Sequence, residues 1–371
     1  MNERGSGMGV EMRRLRSAKG IYQSESGVTL VELMIGLAVG SLVVAAAFST
    51  LTMSQKAYRA NEQVVDMQQN VRMAMELLSR DVKLAGFGSP GVPVGNCTSA
   101  IVPADQNPGG VDTGPDSVQL LVPTTRSSGD NRWTLRVKTA STGITQLLLQ
   151  TGGDGAVKDM GKSGLAIGSY ISIGGSATAK VTGFDASAQT INVSIPPPLW
   201  FQQEDPIYLL QCIRYRIVSP PDPGDLCLGK APCLTRGVAG ATGPSAEAPI
   251  AEGIEDLQLA YACDGCVATI NSGIPDRIID DQTPFNGKFD QNDFLSDGSW
   301  AAGIRTPDKI QLVQIALVAR QSKEDHGFGD VTTAVVGSGT MQVSPDHTVP
   351  ADPNHRRRVL RKTVETRNVG F

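Results

Sequence analysis

The stretch Gly27-Val28-Thr29-Leu30-Val31-Glu32-Leu33 opens an apolar run that continues to Met53. Glu32 is the one charged residue between Val28 and Met53. In a helix, the residues from Leu33 to Met53 rise about 1.5 Å each and together extend over about 30 Å, the thickness of a bilayer's hydrocarbon core. The sequence therefore predicts a membrane-spanning helix over 33–53.

A basic segment precedes this run and contains Arg13, Arg14, Arg16 and Lys19. Positive charge before a single span keeps that end of a chain in the cytoplasm, so we expect the rest of the chain in the periplasm. A cleaved signal peptide would have the same polarity. However, the run is longer than a usual signal-peptide core, and no small-x-small cleavage motif followed by a turn lies beyond Met53. We therefore expect the helix to remain in the mature chain.

Glu32 is an unusual residue at the start of such a helix. A carboxylate at the centre of a bilayer costs about 2.5 kcal/mol or more, so an acid in a membrane segment is a candidate for function.

Gly27 followed by Val-Thr-Leu-Val-Glu-Leu-Met-Ile resembles the class III signal of type IV pilins and type II secretion pseudopilins. The resemblance implies that a prepilin peptidase in the membrane cuts after Gly27, methylates the new amine of Val28 and leaves the helix in place. Glu32 then falls at the fifth mature position. Val28 departs from the family pattern, because major pilins usually have Phe there.

The same resemblance implies that Glu32 meets the amine of a neighbouring subunit and sets the axial register of a filament. A carboxylate and an ammonium attract each other far more strongly in a low dielectric than in water. Two alternatives are open: Glu32 reaches the lipid headgroups, or it pairs with the amine of its own Val28.

Beyond the span, apolar residues recur at steps of three and four, which predicts an amphipathic continuation of the helix. One helix is expected over 28–85, ended by Gly86, Gly88 and Pro90. Gly36 and Gly40 have the spacing that lets two membrane helices approach closely. The predicted divisions are a leader over 1–27, the helix over 28–86 and a head over 87–371. The apolar stripe is Val64, Met67, Val71, Met75, Leu78, Val82 and Ala85.

Short strands are predicted throughout the head, because alternating apolar residues are separated by turn residues. Segments 133–139 and 144–150 are expected to form a hairpin across a Ser-Thr-Gly turn. The fold class predicted is α+β: a pilin-like long helix with a mainly antiparallel β head. The other predicted strands are 117–122, 170–173, 179–184, 190–195, 207–218, 254–262, 309–320 and 358–367.

Three later segments make the resemblance specific to one family of pilins. Residues 250–261, 315–320 and 357–368 resemble the PilW minor-pilin family, which is related to the GspJ pseudopilins. This implies a subunit that is not an enzyme, that is extracted from the inner membrane into a type IV pilus, and that primes assembly and caps the tip. The implied partners are the prepilin peptidase, other minor pilins, the major pilin, the inner-membrane assembly platform and membrane lipid.

Two other functions are open at this point. A GspJ-like pseudopilin of a type II secretion system has the same kind of N-terminus. A singly anchored periplasmic enzyme or redox protein belongs to another class. A nucleic-acid-binding function is disfavoured, because the formal net charge is −4.

Six cysteines follow the span, on the side that is predicted to be oxidising. Local bridges Cys227–Cys233 and Cys263–Cys266 are favoured, which leaves Cys97 with Cys212. The pair Cys263-Asp-Gly-Cys266 also has the spacing of a redox motif or of half a zinc site. A zinc site or a redox pair is therefore the alternative.

Other chemical motifs are weak. Gly161-Lys162-Ser163 resembles the end of a phosphate-binding loop, but the preceding glycine is wrongly spaced and a strand-like segment follows. His326, His347 and His355 show no ligand spacing.

The stretch 276–297 is rich in Asp, and Asp290, Asp293 and Asp297 form a weak Ca²⁺ candidate, because Ca²⁺ prefers oxygen ligands. A solvated loop is the favoured interpretation, and no other cofactor is predicted. The C-terminal stretch is basic, and two interpretations are open: an edge strand with solvated charges, or a docking surface for acidic subunits. Its basic residues are Arg356, Arg357, Arg358, Arg361, Lys362 and Arg367.

Overall fold

A computed structural model describes most of the helix and the head. The chain comprises two compact units, Met1–Tyr58 and Arg59–Phe371. Of the predicted leader, only Gly27 is among the described residues, and the division at 27 and 86 stays a prediction. The described residues are 27–88, 93–107, 110, 112–124, 127–128, 131–132, 135–138, 144–149, 166–185, 187–194, 201–222, 225–228, 231–240, 247–267, 270–282, 285–296, 298, 300, 303–324, 341–344, 347–350, 352 and 354–369.

The long helix, α1, runs from Leu30 to Leu84. It begins two residues after the predicted start and ends one residue before the predicted end. Gly86 follows with a φ of 79°, a conformation that glycine adopts without strain. A Cβ atom at Gly86 would also lie 2.5 Å from the carbonyl oxygen of Asn368, so a side chain does not fit there. The long helix is therefore confirmed.

Seventeen strands follow the helix in the described part of the head. Short 3-10 helices occur there at Asn271–Gly273, Gln291–Asp293 and Pro307–Lys309. The strands are β1 Ile101–Ala104, β2 Ser117–Thr124, β3 Ser127–Ser128, β4 Asn131–Arg132, β5 Leu135–Arg136, β6 Gln146–Leu148, β7 Tyr170–Ile173, β8 Ala177–Asp185, β9 Thr190–Val193, β10 Pro206–Val218, β11 Cys233–Val238, β12 Glu247–Glu252, β13 Ile254–Cys263, β14 Ile310–Arg320, β15 Met341–Gln342, β16 Thr348–Val349 and β17 Arg357–Glu365.

Two sheets dominate the head. The larger has the order β1-β2-β10-β7-β8-β9-β6, with β5 and β11 also paired to β10 and with β12 paired to β11. The smaller has the order β13-β14-β17. All pairings between these named strands are antiparallel, so the predicted α+β class with an antiparallel head is confirmed.

The second half of α1 packs on both sheets. Leu78 is fully buried, in a core that includes Leu120 and Tyr215 of the larger sheet and Leu257 and Leu317 of the smaller one. Burying a leucine side chain contributes about 1.5–3 kcal/mol. Every residue of the predicted apolar stripe lies in this core or packs against it, so the helical period correctly identified the packed face.

The two segments of the predicted hairpin, 133–139 and 144–150, meet in antiparallel fashion at their described residues. Val137 and Leu149 form a bridge, and the N–H of Lys138 donates to the carbonyl of Leu148 at 2.8 Å. In addition, β5 pairs with β10, and β6 pairs with β9, which was not predicted. Local alternation identified extended segments, but contacts with distant strands decide the other partners. The strands that were not predicted from the sequence are β1, β3, β4, β11, β12, β15 and β16.

Candidate functional site

The helix begins immediately after the predicted processing point. Thr29 precedes the first helical residue, and its Oγ1 accepts a hydrogen bond from the backbone N–H of Glu32 at 3.2 Å. The N–H of Leu33 donates to the carbonyl oxygen of Thr29 at 3.1 Å. The first N–H groups of a helix have no partner within the helix, and a threonine in this position satisfies one of them. Thr29 therefore caps α1.

Glu32 lies in the first turn of α1 and is exposed. A negative charge there interacts favourably with the helix dipole, by about 0.3–1 kcal/mol. Thr29 and Glu32 also have the Thr-x-x-Glu spacing of a capping box. Of this box, the structure shows the bond to the Thr29 hydroxyl. The local contribution of Glu32 is therefore its negative charge in the first turn, beside the predicted role between subunits. The Thr-Leu-Val-Glu spacing was not recognised in the sequence.

The first part of α1 suits a lipid environment. All residues from 27 to 51 are exposed, and α1 contains a stretch that is long and apolar enough to cross a membrane. Two of its hydroxyl groups donate within the helix: Ser41 to the carbonyl of Ala38 at 2.8 Å, and Thr50 to that of Ala46 at 2.9 Å. A membrane helix must satisfy its polar groups internally in this way, because lipid offers no partners.

Gly36 and Gly40 lie one helical turn apart and have open space around them. Among the described residues, no atom outside the local helix backbone lies within 4 Å of a Cβ built at either position. Contacts in this part of the chain therefore do not explain the two glycines. Small residues at this spacing allow a second helix to approach. The predicted residues Leu33, Met34 and Ile35 lie on the same exposed segment.

Comparison with known families supports this reading of the N-terminus. The profile of the prokaryotic N-terminal methylation motif matches residues 22–48, and that of PilW, the type IV pilus-assembly protein W, matches residues 224–368. The predicted resemblance to PilW is confirmed. No curated protein and no solved structure matches the chain. Residues 224–368 are called the PilW-like region below.

The PilW-like region contains the whole of the smaller sheet. The segments that suggested the family lie side by side in it, because Ile254 on β13 is paired with Ala319 on β14, and Arg320 on β14 with Arg357 on β17. Gly253, between β12 and β13, has a φ of 77°, and a Cβ there would lie 2.6 Å from the carbonyl oxygen of Arg320. The tight turn into β13 therefore requires glycine.

Three disulfides hold the head. Cys97 is joined to Cys212, Cys227 to Cys233, and Cys263 to Cys266, which are the pairs that the sequence favoured. All six cysteines are buried. A zinc site needs free thiolates, so this paired arrangement does not fit zinc.

Buried aspartates organise the loops around the Cys263–Cys266 bridge. The carboxylate of Asp280 accepts backbone hydrogen bonds from Gly265 at 3.1 Å, Cys266 at 2.6 Å and Val267 at 2.8 Å. Asp264 accepts from the N–H groups of two residues in the following loop. The sequence analysis favoured a solvated acidic loop, and this was wrong for Asp280, which is buried. Its carboxylate accepts hydrogen bonds from N–H groups of the loop that have no backbone carbonyl as a partner.

Asp293 is likewise buried, so the solvated interpretation is wrong there too. Its carboxylate accepts hydrogen bonds from the N–H of Gln282 at 2.7 Å and of Asp290 at 2.6 Å. Asp290 accepts from the N–H of Asn292 at 2.8 Å, which completes a capping box. These contacts give Asp290 and Asp293 of the weak Ca²⁺ candidate a capping role. Asp297 lies outside the described residues.

The basic C-terminal stretch forms β17, an edge strand of the smaller sheet. Arg357 is buried, and its Nε lies 2.6 Å from Oε1 of Glu255. The solvated interpretation was therefore wrong for Arg357. Arg358, Arg361, Lys362 and Arg367 are exposed. The docking hypothesis remains a prediction for those four.

His347 belongs to a buried polar network that the sequence analysis missed. Its Nε2 lies 3.1 Å from Asp256 Oδ2, and its Nδ1 lies 2.9 Å from the carbonyl oxygen of Asp112. Burial lowers the pKa of His347, but the hydrogen bond and charge of Asp256 raise it more strongly, to about 9. The imidazole is therefore charged at neutral pH. Spacing along the chain did not indicate this pair, because 91 residues separate its members. His326 and Gly161-Lys162-Ser163 lie outside the described residues.

Three further carboxylates lie beside this network. Asp105, Asp112 and Asp116 each offer one oxygen, and these oxygens lie within 4.8 Å of one another. Burial raises the pKa of Asp116, and so do the charges of Asp112 and Asp105, whereas backbone hydrogen bonds lower it; the result is about 8. These three residues are the group in the described part of the chain whose oxygens are arranged to hold a metal ion.

Proposed function

We propose that this chain is a minor pilin of a type IV pilus. A prepilin peptidase cuts after Gly27, and the new N-terminus at Val28 is methylated. The apolar part of α1 anchors the subunit in the inner membrane with the head in the periplasm, until the subunit is extracted into a pilus. The observation that carries this proposal is the methylation motif over 22–48 on an apolar helix whose side chains are exposed.

The exposed helix supports both stages of this function. In the membrane, lipid covers its apolar residues from Val28 to Met53. In a pilus, helices of the major pilin and of other minor pilins cover the same residues, and Gly36 and Gly40 allow close approach. The new ammonium at Val28 lies beside the capped first turn, where Glu32 of a neighbouring subunit reaches it.

We further infer a place at the pilus tip, in a complex that primes assembly on the inner-membrane platform. The head supports this place by its size, because it extends over more than 280 residues from 87 to 371. A bulky head is tolerated at the end of a filament, whereas along the shaft it collides with neighbours. The subunit acts by assembly and not as an enzyme. The PilW match over 224–368 favours a pilus over a secretion pseudopilus.

N-terminal sequencing of the membrane form tests the proposal, in cells with and without the prepilin peptidase. We expect an N-methylated Val28 where the peptidase is present and an intact leader where it is absent. A matched control is the Gly27→Leu variant, which should keep its leader in both strains. A mature N-terminus beyond Met53, or the same N-terminus in both strains, would overturn the proposal.

A further inference from the structure

The loop between β1 and β2 brings acidic residues together. Ala104 is paired with Ser117 as the last pair of this hairpin, so Asp105 and Asp116 follow directly on its two sides. Asp112 lies farther along the loop and forms an isolated parallel β-bridge with His347. Asp112 and Asp116 are only 4% and 3% exposed. Like charges at about 4 Å repel each other by several kcal/mol at an effective dielectric of about 20. Protonation of one carboxyl relieves this repulsion, and so would a bound cation.

Tyr261 has a buried hydroxyl group without a hydrogen-bond partner among the described residues. It lies on β13 and is 3% exposed. A buried hydroxyl without a partner costs about 1–3 kcal/mol, so we expect an ordered water or another bound group at this position.

Two contacts place the neighbours of Tyr261 beside the carboxylates. Asp116 Oδ2 accepts from the N–H of Leu259 at 2.9 Å, two residues before Tyr261 and on the same strand. Asp105 Oδ2 accepts from the N–H of Gly298 at 3.0 Å, and Trp300, two residues later, packs edge-on against the Tyr261 ring at 5.3 Å. Burial raises the pKa of the Tyr261 hydroxyl, and the charges of Asp116 and Asp105 raise it further.

We propose that Asp105, Asp112 and Asp116 bind a divalent cation, Ca²⁺, with the hydroxyl of Tyr261 facing the bound ion. Carboxylate oxygens are the ligands of hard cations, and Ca²⁺ accepts six to eight oxygens in flexible geometry. Water completes its shell, and Tyr261 holds one of these waters by a hydrogen bond. This site is distinct from the loop of Asp290, Asp293 and Asp297.

The ion would join parts of the head that are far apart in sequence. The β1–β2 loop belongs to the larger sheet, whereas Tyr261 belongs to β13 of the smaller sheet. The N–H of Asp116 already donates to the carbonyl of Leu257 on β13 at 2.8 Å. Ca²⁺ would strengthen this junction between the sheets, and so would stabilise the head where extracellular Ca²⁺ is abundant.

Calorimetry and thermal unfolding test the site, with the full chain purified in detergent and stripped with EDTA. We expect one Ca²⁺ per chain with a Kd of about 10⁻⁴–10⁻³ M, as in extracellular modules. At 10 mM CaCl₂, the melting temperature should rise by about 3–6 °C. MgCl₂ should give a smaller rise, because Mg²⁺ demands near-octahedral geometry.

Three variants identify the ligands. Asp112→Asn and Asp105→Asn should each abolish the Ca²⁺-dependent rise in melting temperature. Asp105 is only half-buried, so Asp105→Asn should disturb the fold less than Asp112→Asn. Tyr261→Phe should weaken Ca²⁺ binding about 5-fold, the equivalent of one neutral hydrogen bond. A purely structural tyrosine would leave the Kd unchanged. Asp290→Asn is the matched control and should keep the full response, since asparagine also caps helices.

Two outcomes would overturn the proposal. One is the absence of both heat and a melting shift in the wild-type chain up to 10 mM CaCl₂. The other is a response that survives in Asp112→Asn and Asp105→Asn but disappears in Asp290→Asn, which would place the ion in the later loop.

Discussion

The carboxylate of Asp81 accepts a hydrogen bond from the hydroxyl of Tyr215 at 2.7 Å. Asp81 lies near the end of α1, and Tyr215 lies on β10, the strand on which the larger sheet is centred. Arg236 Nε on β11 donates to the same carboxylate at 2.9 Å. Burial raises the pKa of Tyr215, and the charge of Asp81 raises it further, so the phenol stays protonated and donates. One acid thus fixes the helix to two strands.

Removing this acid should destabilise the head. Asp81→Ala leaves the hydroxyl of Tyr215 and the guanidinium of Arg236 without their acceptor in a largely buried place. The free energy of unfolding should fall by about 3 kcal/mol. Tyr215→Phe removes one hydrogen bond to a charged group, and about 1.5 kcal/mol should be lost. Urea unfolding of the purified chain, followed by tryptophan fluorescence, measures both losses.

Arg80 provides the matched control for Asp81. Its Nη2 also lies 3.2 Å from an oxygen of Asp81, but its side chain is 62% exposed. An exposed ion pair contributes less than about 1 kcal/mol, so Arg80→Ala should hardly change the unfolding midpoint. Equal losses from Arg80→Ala and Asp81→Ala would contradict the anchoring role of the buried pair.

Glu247 should make the stability of the head depend on pH. Its carboxylate accepts hydrogen bonds from Arg216 Nη2 at 2.6 Å and from Thr235 Oγ1 at 2.6 Å. Burial raises the pKa of Glu247, but these bonds and the charges of Arg216 and Arg214 lower it more, to below its ordinary value. The stabilisation is therefore present above the unfolded pKa, about 4.5, and is lost as the pH falls through the lower folded pKa.

Glu247→Gln should therefore lose about 1 kcal/mol of stability at pH 7, and this loss should shrink as the pH falls below about 4.5. Urea unfolding of both proteins between pH 3 and 7 measures the difference. Glu76→Gln serves as the control, because Glu76 is exposed on α1. A difference between wild type and Glu247→Gln that grows as the pH falls would show that the pKa shift has the opposite sign.

Much of the fold could be predicted from the sequence where local chemistry decides it. The stripe that includes Met67, Val71 and Leu78 identified the buried face of α1, because helical period and burial coincide there. Strand pairing could be predicted only between neighbouring segments. Segments 133–139 and 144–150 do meet, at Val137 and Leu149. Local alternation gave no sign that β5 and β6 also pair with β10 and β9, which are about 70 and 44 residues later in sequence.

Candidate functional residues could likewise be predicted where they are close in sequence, but not where they come from distant segments. The N-terminal motif is contiguous in sequence, and so Glu32 could be singled out. The network of Asp112, Asp256 and His347 is assembled from three distant segments, and no spacing indicates it. Asp280 and Asp293 were predicted to be solvated, because acidic loops usually are. In the structure, their carboxylates accept hydrogen bonds from buried backbone N–H groups.

The disulfides should differ in their contribution to stability. Cys97–Cys212 closes a loop of 115 residues, whereas Cys227–Cys233 closes one of 6. In the chain-entropy account, the longer loop contributes about 5 kcal/mol and the shorter about 2 kcal/mol. Cys97→Ser/Cys212→Ser should therefore lower the unfolding free energy more than Cys227→Ser/Cys233→Ser. Urea unfolding measures both, and the reverse order would contradict the loop-length account.

Substitutions of Glu32 can separate its two roles. At the start of α1 a polar side chain is sufficient, whereas the contact with a neighbouring subunit's ammonium needs a negative charge. Glutamine can replace glutamate in a capping box with Thr29, but it cannot pair as an anion with an ammonium. If the charge sets the register, Glu32→Gln and Glu32→Ala should both reduce incorporation into sheared pili by about 10-fold or more, since a charge pair in a low dielectric exceeds about 1.4 kcal/mol. Immunoblotting of the pilus and membrane fractions measures incorporation. Glu62→Gln, an exposed acid farther along α1, should assemble normally. Wild-type incorporation of Glu32→Gln beside a defective Glu32→Ala would assign Glu32 to the helix cap alone.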